Sequence, residues 1–293
     1  MALAIALLAS GAESFAQSAV PGPGSDLGSD SQEKVCAYVR SGDGWAGLNE
    51  DDACPLFSVV KFPQALYVAH RLSESGKSLN DRMPVRKRRL MQDTWSPMLG
   101  TFKSRHRFSY AELLRLSMVE SDNNACDLLF EAFGQPAEVE RYIAGLGFPG
   151  IRIRSTERQM MADRSTASLN AASPKEMAGL LEWFYQHHND NEYLSYIWQL
   201  MSECNTGLSR LPAAVAESDV VVHKTGTGFA TATGVAAIND AGIIIHPDGT
   251  HSIAVVFVLN HPGRPDSAEA LLAKTARGLI EEAETGGGNI VCI

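Results

Sequence analysis

The spacing of apolar residues changes once along the chain, after Pro212, and that change limits the possible folds more than any other feature. Before it, five runs recur at helical spacing: Tyr110 to Met118, Ala125 to Phe133, Ala137 to Leu146, Lys175 to His187 and Glu192 to Ser202. After it come β-branched runs at Val220 to Val222, Gly234 to Ile238, Ile243 to Ile245 and Ile253 to Leu259. Turns are expected between them at Asn239-Asp240 and at Pro247-Asp248-Gly249. An earlier strand is expected at Lys34 to Val39, turned into a second by Gly42-Asp43-Gly44. The two ends of the chain thus supply an antiparallel sheet, and the middle supplies an all-helical lobe. A last helix, Ala268 to Glu282, is expected to lay Leu271, Leu272, Thr275 and Leu279 on that sheet. From Ser58 to about Ser75 the residues Val59, Val60, Phe62, Leu66, Val68, Ala69 and Leu72 predict a helix buried on most sides, with Pro63 close enough to its start to be tolerated.

The 293 residues can bury a large core, as one big domain or two interleaved lobes, and 45% hydrophobic with 20% charged residues is the balance of a water-soluble globular protein. The net charge of -9 repels a phosphate backbone, so no nucleic-acid partner is expected. The basic run Arg86 to Arg89 reads as a solvated face. Residues 1–16, apolar from Ala2 to Ala9 and ending in Ser14-Phe15-Ala16, read as a signal peptide, although no Lys or Arg precedes the apolar run and a tail is the alternative. The stretch from Pro21 to Asp30 makes residues 17–32 a linker. No later stretch is long and apolar enough to span a bilayer, so a periplasmic or secreted monomer is expected. Five cysteines without a CxxC, and eight histidines without ligand spacing, give no reason to expect a metal or another cofactor. Cys126 and Cys204 fall in helical patterns and read as small buried hydrophobes, whereas Cys36 and Cys54 flank a strand and could pair if oxidised.

Three short motifs carry the chemistry. Ser58-Val59-Val60-Lys61 sets a hydroxyl and an amine about 60° apart around a helix and about 4.5 Å along it, so both can face one cleft. The same pattern from Ser31 to Lys34 lies in the polar linker, which shows that the motif alone proves little. An amine in a partly dry site can accept the serine proton and so activate a nucleophile. Ser121-Asp122-Asn123 follows a helical run and puts Ser121 and Asn123 on one side of a turn with Asp122 on the other; a plain helix cap is the competing reading. Lys224-Thr225-Gly226-Thr227-Gly228 ends the strand that starts at Val220, with a fixed positive charge and glycines that let a ligand lie close; a plain strand end competes here too.

In this order, 63 and 103 positions apart, the three motifs resemble those of class A serine β-lactamases within the penicillin-binding-protein superfamily. The likeness runs from Val35 to the last helix. It implies an α/β fold, an α+β sandwich in which an antiparallel five-stranded sheet flanked by helices (33–57 and 205–293) meets an all-helical lobe (58–204). A fourth element, from Thr156 to Pro174, resembles the Ω loop of these enzymes, placed at about 155–174. Glu157 matches its general base, and Asn170 matches its loop-closing acidic position. The family pattern has Asn four residues after that Glu, helping to hold the hydrolytic water, and this chain has Met161. With Trp95-Ser96-Pro97-Met98, the arrangement looks most like the cephalosporinase and extended-spectrum branch.

The resemblance implies hydrolysis of the β-lactam ring of penicillins and cephalosporins. Ser58 would attack the lactam carbonyl, Lys61 and Glu157 would share general-base work, and Ser121 would pass a proton to the leaving nitrogen. Backbone N–H groups of Ser58 and Thr227 would hold the oxyanion. Asn123 would bind the acylamide side chain; Lys224, Thr225, Gly226 and Thr227, with Arg210, would surround the substrate carboxylate. An ordinary salt bridge explains Arg210 as well, and Trp95 walls the entrance or sits in the core. A D,D-peptidase and a soluble β-lactam sensor remain alternatives, both of which would acylate and release poorly.

Overall fold

The computed structural model describes residues 32–101 and 105–286. The expected signal segment, nearly all of the expected linker and Cys292 lie outside the described residues. Five antiparallel strands, β1 (Lys34–Ser41), β2 (Gly44–Leu48), β3 (Val220–Thr227), β4 (Val235–Ile245) and β5 (His251–His261), form one sheet in the order β2-β1-β5-β4-β3. The first strands of the chain therefore join the last at β1 and β5, where Cys36 stands opposite Phe257. Residues of β5 alternate between two cores. Ile253, Val255 and Phe257 face the helical side, whereas Ala254, Val256 and Val258 face the C-terminal helix. With both faces covered, this strand is apolar throughout instead of alternating with polar residues.

The main helices are α1 (Lys61–Ser75), α2 (Tyr110–Val119), α3 (Asn123–Phe133), α4 (Pro136–Gly145), α5 (Glu157–Ala162), α6 (Pro174–His187), α7 (Glu192–Ser202) and α8 (Pro265–Glu284). Their starts are fixed by local chemistry. Ser109 accepts from the Glu112 amide at 3.1 Å while the Glu112 carboxylate accepts from the Ser109 amide at 2.7 Å, a reciprocal cap that begins α2. Helix α1 runs through the centre of the larger core, with Phe62, Leu66, Val68 and Leu72 all fully buried.

Four expectations need correction. Ser58 is not in the α-helix: it lies in a 3-10 turn, Phe57–Val60, and α1 starts at Lys61. Asn239-Asp240 is not a turn but the middle of β4, where both residues are fully buried and paired with their neighbours. Their polarity, read as exposure, is engaged internally: Asp240 accepts from the Leu211 amide and the Asn239 amide donates to the Pro55 carbonyl, while Asn239 Oδ1 has no hydrogen-bond partner among the described residues. The buried stripe of α8 is Ala268, Leu272, Ala276, Leu279 and Ala283, with Leu271 and Thr275 only half-buried, because small residues let the helix approach the sheet closely. Cys204 is buried as expected but lies beyond the end of α7 and is engaged by polar groups.

Candidate active site

Ser58 is carried by the turn that ends in α1, and the turn is tightly held. Phe57, the residue before it, has φ of +48°, a left-handed conformation that is unfavourable for a bulky side chain and is maintained by its surroundings. The Leu56 amide donates to the Asn170 carbonyl at 2.9 Å, and the Asn239 side-chain amide donates to the Pro55 carbonyl at 2.8 Å. Strand β3 passes so close that a Cβ on Gly226 would lie 2.5 Å from the Leu56 carbonyl oxygen, so only glycine fits there.

One turn on, Lys61 is fully buried, and its ammonium faces five oxygens. It donates to Ser58 Oγ at 2.8 Å, to Asn123 Oδ1 at 2.7 Å, and to the Ser121 carbonyl and Oγ at 2.9 and 3.3 Å. Glu157 Oε1 stands 3.0 Å away as its ion-pair partner. Three ammonium hydrogens cannot serve five oxygens at once, so this amine is a junction through which protons can be redistributed between Ser58, Ser121 and Glu157. Glu157 is also buried, and its Oε1 has no well-aligned hydrogen bond among the described residues, which leaves it acceptor capacity.

Ser121 has φ of +57°, which turns the chain between α2 and α3. Its Oγ accepts from Lys224 Nζ at 3.0 Å as well as from Lys61, so two cations flank one hydroxyl. Asp122 points the other way: it accepts from the Ala125 and Met98 amides at 2.8 Å each and from Ser96, capping α3. Ser121 and Asn123 thus face Lys61 and Asp122 faces away, the division of sides expected for this motif. Asn123 also donates to Thr94 Oγ1 at 2.8 Å, which fixes its amide. Trp95 is 42% exposed and donates to the Glu120 carbonyl at 2.8 Å, so the core alternative for its indole does not hold.

Lys224 is fully buried on β3, and burial brings its pKa down to about 8. Thr225 Oγ1 is hydrogen-bonded to Thr206 Oγ1 at 2.5 Å. Arg210 is 5% exposed and donates to Thr227 Oγ1 at 2.8 Å and to the Gly226 and Asn239 carbonyls at 3.2 and 3.0 Å. Its ion pair with Glu269, at 2.9 Å, is thus part of a buried network at the end of β3 rather than a surface contact.

The segment from Ile153 to Pro174 folds over this centre as a closed loop. Asn170, fully buried, ties its neck by accepting from the Arg154 and Ser155 amides at 2.8 and 2.9 Å and donating to the Ser155 carbonyl at 2.9 Å. Helix α5 carries Glu157 at its first position, and Met161, four residues on, is 41% exposed.

A model of the β-lactamase enzyme family matches residues 25–283. The chain belongs to that family. It is 35% identical over 233 residues to the extended-spectrum β-lactamase PER-1 of Pseudomonas aeruginosa, covering 78% of this chain and 75% of that one. It is 32% identical over 235 residues to β-lactamase VEB-1 of Pseudomonas aeruginosa, covering 78% of each. Among solved structures it resembles a β-lactamase from Chitinophaga pinensis (TM-score 0.80, 32% identity, 86% of this chain and 94% of that one). A class A β-lactamase from Bacteroides cellulosilyticus is similar at TM-score 0.79 and 29% identity, with the same coverage. Class A is therefore the branch in which this β-lactamase stands.

Two parts of the β-lactamase site escaped the motif reading. Asp127 on α3 accepts from the Glu157 amide at 2.8 Å and from the Arg158 amide at 3.0 Å, so it holds the start of α5 from beneath. Burial, and then the nearby Glu157 charge, push its carboxyl up to about 7. A lone Asp in a helix has no sequence signature for this, though its helical spacing from Asn123 is a hint. Behind β3, Asp240 accepts from His223 Nδ1 at 2.9 Å, and the His223 ring interacts electrostatically with Cys204, whose sulfur lies 3.3 Å from Thr206 Oγ1. This chain of buried groups ends at Thr225. Burial lowers the His223 pKa, but the Asp240 charge and hydrogen bond outweigh it and raise the ring to about 10. Burial raises the Cys204 thiol, yet His223 and Lys224 bring it down to about 7.

Proposed function

We propose that this chain hydrolyses β-lactam antibiotics through an acyl-Ser58 intermediate and thereby confers resistance. The observation that supports it best is the Lys61 amine within hydrogen-bond reach of both Ser58 Oγ and Ser121 Oγ, with the Glu157 carboxylate 3.0 Å away. In this reading Lys61, momentarily neutral after passing a proton to Glu157, takes the Ser58 proton as Oγ attacks the lactam carbonyl. The backbone N–H groups of Ser58 and Thr227 stabilise the tetrahedral oxyanion more than the flat carbonyl. Ser121, flanked by two amines, then protonates the departing lactam nitrogen and recovers its proton from Lys61. Lys224, Thr225, Gly226 and Thr227, held by Arg210, surround the substrate carboxylate, Asn123 receives the acylamide and Trp95 walls the entrance.

Release follows once Glu157 has returned its proton to Lys61: Glu157 takes a proton from water as the water attacks the acyl carbon, the Ser58 ester bond breaks, and Ser58 Oγ recovers a proton from Lys61. With Met161 exposed, the water is positioned by Glu157 and the Ser58 turn rather than by an Asn side chain. This second half of the cycle separates a hydrolase from a peptidase or a sensor. The fold alone does not, because the penicillin-binding protein PBP-A resembles this chain at TM-score 0.73 with 21% identity. Substrates are read as penicillins and cephalosporins, and the names of the relatives favour the extended-spectrum branch.

The same proposal divides the chain into an α/β part (33–57 and 205–293) and a helical part (58–204), with the active site between them. It includes export by residues 1–16 to the periplasm or beyond and action as a monomer. No helix among the described residues is long and apolar enough to cross a membrane. The test is continuous turnover of a chromogenic cephalosporin by the purified protein and by Ser58→Ala. Many product equivalents from the first and none from the second are expected; one equivalent followed by a stable adduct on Ser58 would sink the hydrolase reading.

A further inference from the structure

The segment that precedes the nucleophile turn runs alongside the start of β1, and the two are joined at successive rungs. Asn49 donates to the Val35 carbonyl at 2.8 Å, and Lys34 forms an ion pair with Asp52 at 2.7 Å. Two positions further along both segments, Cys36 faces Cys54. Both thiols are fully or nearly fully buried in the same core and unlinked in this structure, and Cys54 Sγ donates to the Asp52 carbonyl at 3.4 Å. The pleat directs Cys36 to this side of the sheet, since Ala37 and Val39 face the other core. The other two described cysteines have different neighbours: Cys126 donates to Gln64 Oε1 at 3.3 Å, and Cys204 belongs to the His223 network.

We propose that Cys36 and Cys54 are a redox-modifiable pair that forms a disulfide in an oxidising compartment, closing a loop around β2. The oxidant is an external disulfide, supplied by oxidised glutathione or a disulfide-bearing oxidoreductase. Because both sulfurs are buried in the folded chain, exchange takes place while this segment is open: the Cys36 thiolate displaces one thiolate of that reagent to give a mixed disulfide. Cys54 then loses its proton and attacks the Cys36 sulfur, displacing the second thiolate. One protein disulfide forms, the reagent gains two electrons, and the two released protons go to its thiolates.

The position gives the bond a consequence for the site. Cys54 lies four residues before Ser58 and pairs with Ala172 at the neck of the Ω loop. The bond would therefore fasten both the nucleophile turn and the loop neck to the sheet, and constrain the unfolded chain by closing a loop of moderate length.

The experiment refolds the reduced full-length chain in oxidised glutathione, alkylates it under denaturing conditions and maps peptides without reductant. The expected result is a Cys36–Cys54 cross-linked peptide pair two hydrogens lighter than its reduced parts, with Cys126 and Cys204 recovered alkylated. Reduction is expected to lower the Tm of the oxidised protein by about 5–10 °C, and Cys36→Ala and Cys54→Ala should each abolish that response. Recovery of Cys36 and Cys54 as alkylated thiols, or linkage of either to another cysteine, would overturn the proposal. A cross-link whose reduction leaves Tm unchanged would remove its stabilising role. The glutathione arm needs no assumption about export or activity, so its failure is distinct from failure of the hydrolase reading.

Discussion

Lys224→Met is expected to stabilise the protein at neutral pH and destabilise it at high pH, while removing the positive charge from the proposed substrate-carboxylate site. An ordinary lysine titrates at 10.5, and burial brings Lys224 to about 8. Holding the buried ammonium therefore costs the folded state about 3 kcal/mol at pH 7. Because the folded value is depressed, the unfolded chain binds more protons between pH 8 and 10.5, and wild-type stability gains back that amount as pH rises through this window. Methionine removes the charge but also the hydrogen bonds to Ser121 Oγ and the Thr225 carbonyl, each worth about 1 kcal/mol. The variant should then be more stable than wild type by about 1 kcal/mol at pH 7 and less stable by about 2 kcal/mol above pH 10.5, crossing near pH 9. Urea unfolding of both proteins at pH 7, 9 and 10.5, followed by tryptophan fluorescence, reads this difference directly. A variant that is less stable at pH 7, or a difference independent of pH, would refute the reasoning.

Asp127→Ala leaves the Glu157 and Arg158 amides without their acceptor, at about 1–3 kcal/mol for the partly buried Glu157 amide and less for the exposed Arg158 amide; hydrogen exchange at the Glu157 amide should accelerate at least 10-fold, and unchanged exchange would deny Asp127 its anchoring role. For His223 the folded value, about 10, lies above the unfolded 6.5, so its pairing with Asp240 stabilises the protein fully below about pH 6.5 and is lost as pH rises through 10. Asp240→Asn should therefore lower Tm at pH 7 and flatten its dependence between pH 7 and 10; a Tm curve merely parallel to that of wild type would contradict the pairing.

Much of this architecture is legible in the sequence because its main devices are periodic or local. The helical runs between Tyr110 and Ser202, the strand runs after Pro212 and the caps at Ser109 and Asp122 are each specified within a few residues of where they act. What was not legible depends on distant partners. Asn239-Asp240 has the composition of a turn, and only the arrival of Pro55, Leu211 and His223 from elsewhere makes a buried strand position suit it. Gly226 reads as permissive from sequence, whereas the requirement for glycine comes from the Leu56 carbonyl, 170 positions earlier. Asp127 and Cys204 act through neighbours that no local pattern announces. The Ser58 turn illustrates both sides: the motif places Ser58 beside Lys61, but the 3-10 geometry and the positive φ at Phe57 are imposed by the strand and loop packed against it.

The central claim is that Ser58 is acylated and that Glu157 drives release. Rapid-quench intact-mass measurement on wild type and Glu157→Gln, mixed with excess cephalosporin, tests it most directly. The account predicts that the variant accumulates an adduct mapped to Ser58 and releases it about 10²–10⁴-fold more slowly than wild type. Equal turnover by the two proteins, or turnover with no adduct on Ser58 in either, would contradict it.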